Sequence, residues 1–76
     1  MTNYTRQCLR ARIAGIGPPT RDAWLVADSI ADALDRNDYQ SLTIGHRAIL
    51  GEAMTTLDDD CIEDLASCVP SAKEYA

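Results

Sequence analysis

Apolar residues recur along this chain at helical spacing rather than in alternation. Between residues 21 and 36 they fall at Ala23, Ala27, Ile30 and Leu34, with Trp24, Val26, Ala31 and Ala33 widening the stripe. Steps of four, three and four put these residues on one face of an amphipathic helix. Thr20 supplies an N-cap. The opposite face carries Asp28, Asp32 and Asp35, carboxylates on adjacent turns that repel one another, and Arg36 follows Asp32 by four residues to relieve it. A second stripe runs through Leu42, His46, Ile49, Ala53 and Leu57, with Leu50 and Met54 beside it. It predicts a helix over about 39–56. Gly45 and Gly51 each cost about 1 kcal/mol there relative to Ala, a cost offset where another backbone approaches closely. His46 lies at the stripe's edge, where a packed, hydrogen-bonded histidine is expected.

The corner Arg36-Asn37-Asp38 joins the two patterns. Asn37 can end the first helix, Asn37-x-x-Gln40 reads as a capping box for the second, and Asp38 is a competing N-cap. Further on, Cys61, Ile62, Leu65, Ala66, Cys68 and Val69 predict a short helix over about 60–69. Asp60-x-x-Glu63 resembles a capping box at its start, and Pro70 stops it. The triplet Asp58-Asp59-Asp60 is not a calcium loop, because the chain continues CIEDLA and lacks the Gly at the sixth loop position and the Glu at the twelfth. At the other end, residues 3–14 carry a fair apolar stripe, Cys8, Leu9, Ala11, Ile13 and Ile16, with Asn3 as N-cap. They form either a first helix or an arm that orders on a partner. Gly15-Ile16-Gly17-Pro18-Pro19 reads as a rigid linker. Two prolines lack the N–H groups that a phosphate loop aims at its anion, and no Lys follows.

The expected fold is therefore all-α: a small helical domain built on an αα-hairpin, about 21–36 and 39–56. A third short helix covers about 60–69. Residues 1–19 are a basic arm or short helix plus linker, 20–70 the helical domain, and 71–76 a tail.

Composition changes this picture in one respect. Seventy-six residues without a single Phe give a small, aliphatic core, which an added subunit would enlarge. A homodimer is the default expectation, with a seam from the two central helices and Gly45 or Gly51 at a close approach. The three cysteines, Cys8, Cys61 and Cys68, are odd in number and form no C-x-x-C pair. They read as small apolar residues in a reducing cytosol. No apolar run approaches membrane-spanning length, and Arg6, Arg10 and Arg12 interrupt any secretory signal, so a cytoplasmic location is expected.

Charge changes it more. Residues 1–21 hold Arg6, Arg10, Arg12 and Arg21 without an acid, whereas the remainder sets Arg36, Arg47 and Lys73 against twelve acids. The two segments stand at +4 and −9. Arg6, Arg10 and Arg12 are expected to pair with the acidic body, in the same or a partner subunit. The body itself repels nucleic acid and attracts basic protein surfaces.

Candidate chemistry is sparse. One His and no ligand cluster leave no catalytic group, metal site or cofactor to name, and no enzyme is expected. A helix-turn-helix reading of the corner would offer Tyr39, Gln40, Ser41 and Thr43 to bases. Phosphate contacts need surrounding cations, yet Asp32, Asp35 and Asp38 crowd the same corner. A protein-binding reading suits these residues better. Tyr39 sits at the hairpin tip, and Asp28, Asp32, Asp35, Asp38 and Arg36 complete the expected partner-binding surface, since tyrosine is enriched in hot spots. Alternatively, Tyr39 packs back on the first helix as a capping contact.

In size, helix content and acidity the whole chain resembles the accessory proteins with which temperate bacteriophages disable a host protein. Anti-CRISPR proteins and anti-activators of quorum-sensing regulators are two such groups. The resemblance implies a non-enzymatic inhibitor that covers a basic, nucleic-acid-binding surface of a bacterial host protein, such as a transcription regulator or CRISPR effector. The competing expectations are a small DNA-binding regulator and a structural dimerisation module.

Overall fold

The computed structural model describes residues 1–16, 20–70 and 72, and every regular element among them is helical. Four α-helices are present in that part of the chain, with the hairpin-based, all-α architecture that the apolar periodicity predicts. Gly17, Pro18 and Pro19 of the expected linker, and residues 71 and 73–76 of the expected tail, lie outside the described residues.

Residues 3–14 are a helix and not an extended arm. Helix α1 (Asn3–Ala14) starts one residue earlier than expected in its capping: the Thr2 hydroxyl, not Asn3, accepts the Thr5 N–H. Leu9 and Ile13 are buried, so α1 contributes to the shared core. Helix α2 (Arg21–Asp35) begins as predicted, with Thr20 accepting the Ala23 N–H. It buries Ala27, Ile30, Ala31, Ala33 and Leu34. The most extensive helix pair is α1 on α2. The pair is antiparallel, because Arg6 lies opposite Asp32 and Asp35 while Arg10 lies opposite Asp28.

The corner after α2 is a C-terminal cap. Asn37 has a φ of 56°, in the left-handed region that Asn tolerates better than most residues. Its N–H donates to the Leu34 carbonyl at 3.0 Å, and the Asp38 N–H donates to the Ala33 carbonyl at 2.8 Å. This pair of bonds is the Schellman motif, which satisfies carbonyls that the helix end leaves open. Asn37 thus ends α2 as expected, but it opens no capping box toward Gln40. Asp38 makes no side-chain cap bond either.

The single helix expected over 39–56 is two pieces. A 3-10 turn covers Tyr39–Ser41, and helix α3 spans Ile44–Met54. Between them Leu42 adopts an extended conformation and is buried in the core. Thr43 then caps α3 by accepting the His46 N–H at 3.1 Å. Burial of one leucine and a better cap outweigh continuation of the helix. His46 is half-buried, as an edge residue should be.

The last helix is also shifted. Helix α4 runs over Asp59–Leu65, and its cap is Asp58, which accepts the Cys61 N–H at 2.9 Å. Asp60 is a first-turn residue and not the cap. The chain leaves the helix at Ala66 and turns, and the Val69 N–H donates to the Leu65 carbonyl, which buries Val69. Leu9, Ile30, Leu34, Leu50, Met54, Ile62 and Leu65 thereby meet in one core drawn from all four helices.

Candidate functional site

The acidic face of α2 is partly charge-compensated within the protomer. Arg6 reaches both Asp32, at 2.6 Å, and Asp35, while Arg10 reaches Asp28 at 2.5 Å and lies 5.2 Å from the Trp24 ring centre. The physical cause is a matched repeat. Arg6 and Arg10 are one helical step apart, as are Asp28 and Asp32, and antiparallel packing brings the two rows into register. Two of the three arginines expected to pair with the body do so in the same subunit, and Arg12 is not among the ion pairs of the described residues. Arg6 rather than Arg36 relieves Asp32. Pairs this exposed contribute little stability singly. Their effect is to offset two of the three carboxylate charges in the surface field and to draw two arginines away from any phosphate-binding role.

Tyr39 is half-buried and packs against the core. The Arg47 guanidinium stands 4.8 Å from its ring centre and donates to the Gln40 carbonyl at 3.1 Å. Cation–π contacts of this kind hold a ring in place. With Asn37 and Gln40, Tyr39 also lines a recess of about 220 Å³ whose far wall is Cys68, Val69 and Pro70. So Tyr39 sits at the corner as the sequence places it, but held rather than projecting. Asp38 is half-buried and Arg36 is exposed beside it.

Among the described residues it is Tyr4, not Tyr39, that exposes its ring. Tyr4, on the first turn of α1, is 58% exposed. Its hydroxyl donates to Asp58 Oδ2 at 2.7 Å, across 54 residues of chain. Nearby, the Thr2 N–H donates to Asp64 Oδ2 at 2.8 Å, so the start of α1 lies along α4. Helix α4 turns Cys61, Ile62 and Leu65 inward and leaves Asp59, Asp60 and Glu63 exposed on the opposite face. These three carboxylates form no ion pair among the described residues. Tyr4 is thus an exposed ring tied to the N-cap of α4, a helix whose outer face carries three acids without an ion pair among the described residues. No sequence signal could have paired Tyr4 with Asp58, because the contact depends on tertiary docking alone.

The hydrogen bonds at this edge shift the acids that make them. Asp58 is held below the usual carboxylate range, first by the Cys61 N–H and then by the Tyr4 hydroxyl. Asp64 is lowered chiefly by the Thr2 N–H. The Tyr4 phenol is raised by its bond to Asp58 and then by Cys8. Cys61 is pushed up to about 12, by burial first and then by Asp58, which leaves it an unreactive thiol.

An acid-side stability change follows. A carboxylate with a depressed folded pKa contributes stability above its unfolded value, and the contribution is lost as pH falls through the folded one. Melting temperature is expected to drop below about pH 4, the unfolded carboxylate range. Asp58→Asn keeps a cap but should flatten that part of the profile, followed by circular dichroism.

Searches against family models, curated proteins and solved structures gave no match to this chain.

Proposed function

We propose that this protein is a non-enzymatic inhibitor, encoded by a bacteriophage, that acts in the host cytoplasm by covering a basic surface of a bacterial nucleic-acid-binding protein. The observation that carries this reading is the edge formed by Tyr4 and α4. The exposed Tyr4 ring offers an apolar anchor, and the exposed Asp59, Asp60 and Glu63 of the helix whose N-cap it contacts supply a negative field of the same sign as a phosphate backbone. The internal use of Arg6 and Arg10 also favours a protein target over DNA, since it leaves fewer cations for phosphate contacts. Asp38 and Arg36, exposed or half-buried at the corner, remain candidates for the rim of that surface. A homodimer is part of the same proposal, because a second copy adds core to a chain this short.

The charge component has its own test. Neutralising Asp59, Asp60 and Glu63 together to Asn, Asn and Gln should slow association with a captured target and flatten its salt dependence. Circular dichroism should show the fold retained. Association that is equally fast and equally salt-dependent would refute the electrostatic part of the reading.

A further inference from the structure

Among the described residues, helix α3 keeps one face largely exposed. Leu50, Ala53 and Met54 point inward, while Ile44, Ala48 and Thr55 are exposed and Gly51 is half-buried. These four residues follow steps of four, three and four, the spacing of a helix–helix seam. Ile44 is 87% exposed, so a large apolar side chain forgoes the stabilisation that burial would give it. At the adjoining Gly45 an added Cβ would meet, among the described residues, only the Thr43 hydroxyl, at an ordinary 3.8 Å.

We propose that this face is the seam of a parallel homodimer. The proposal rests on the homodimer part of the functional reading and not on the inhibitor part. The occupant is argued from charge. The chain carries a net charge of −5, which opposes association of two copies. Residues 39–57 are balanced, holding one base, Arg47, and one acid, Glu52. These two flank the Ile44–Ala48–Gly51–Thr55 stripe on opposite sides and lie five positions apart. In a parallel pair, residues so placed on the two flanks meet across the seam, Arg47 of one protomer with Glu52 of the partner subunit. In an antiparallel pair each would face its own copy, base on base and acid on acid. Small residues at positions 48 and 51 let the two backbones approach closely. Arg47 is already held over Tyr39, and its Nε is buried without a partner among the described residues, so its position is fixed before association.

Three helical turns make a short seam, so the dimer is expected at micromolar rather than nanomolar concentration. Sedimentation of the full chain should show dimer at high micromolar protein. Ala48→Glu, on an exposed position, should weaken it by at least about tenfold while the dilute protein melts as before. Ile44→Cys should form a disulfide-linked dimer under mild oxidation, because a parallel seam puts the two copies of position 44 side by side. The wild type, with only Cys8, Cys61 and Cys68, should not. A monomer at high micromolar concentration overturns both this seam and the homodimer. A dimer indifferent to Ala48→Glu, or one that Ile44→Cys does not cross-link, overturns the seam alone. Target capture by a monomer would still leave the inhibitor reading standing.

Discussion

Leu9→Ala is expected to destabilise the protein by about 2–5 kcal/mol, the range for a buried leucine whose site collapses only partly. Leu9 has no exposed surface and reaches the core from the middle of α1. A domain of this length is typically stable by only about 4–11 kcal/mol, so the substitution removes a large fraction of the whole. Urea denaturation gives the result directly. Leu25→Ala serves as the control, because Leu25 is an exposed α2 residue, 59% accessible, whose loss should be nearly neutral. A large gap between the two variants means that residues 3–14 are structural. Equal, small effects would mean that α1 is an arm and would remove the platform on which Tyr4 stands.

The second large effect concerns binding. Tyr4→Ala is expected to weaken target association by at least about thirty-fold, the loss typical when a hot-spot tyrosine is truncated. It should change the melting temperature little, since the ring is largely in solvent and Asp58 keeps its bond from Cys61. Tyr39→Ala should do the reverse. It removes a half-buried ring and the Arg47 stack, so it should lower stability clearly and affect binding only through the fold. The crossed pattern is the informative result: one tyrosine for the partner, the other for the corner. Binding lost with Tyr39→Ala at unchanged stability would return the hot spot to the corner.

Much of this architecture was legible in the chain. The α2 stripe, its Thr20 cap and its end at Asn37 follow from local spacing and cap chemistry. So does the pairing of the basic segment with the acidic body, because matched four-residue steps on two helices need only an antiparallel arrangement to meet. The break at Leu42–Thr43 was hidden because Leu42 fits the same periodicity as His46 and Ile49, whether or not the helix runs through it. The available signal was Thr43, a good cap three residues before His46. The start of α4 was ambiguous for a different reason. Three consecutive aspartates can each cap, and the choice of Asp58 accompanies its contact with Tyr4, far away in sequence. The candidate edge shares that difficulty. An acid on α2 looks available until α1 docks, and Tyr4 looks unrelated to α4 until the same docking occurs.

The most direct measurement is affinity capture from bacterial lysate with the wild type and Tyr4→Ala side by side, followed by mass spectrometry and a nucleic-acid assay of what is retained. The wild type is expected to retain one nucleic-acid-binding host protein, free of nucleic acid, and Tyr4→Ala to lose it. Retention of DNA fragments, or equal recovery of the protein by both, would contradict the proposed function.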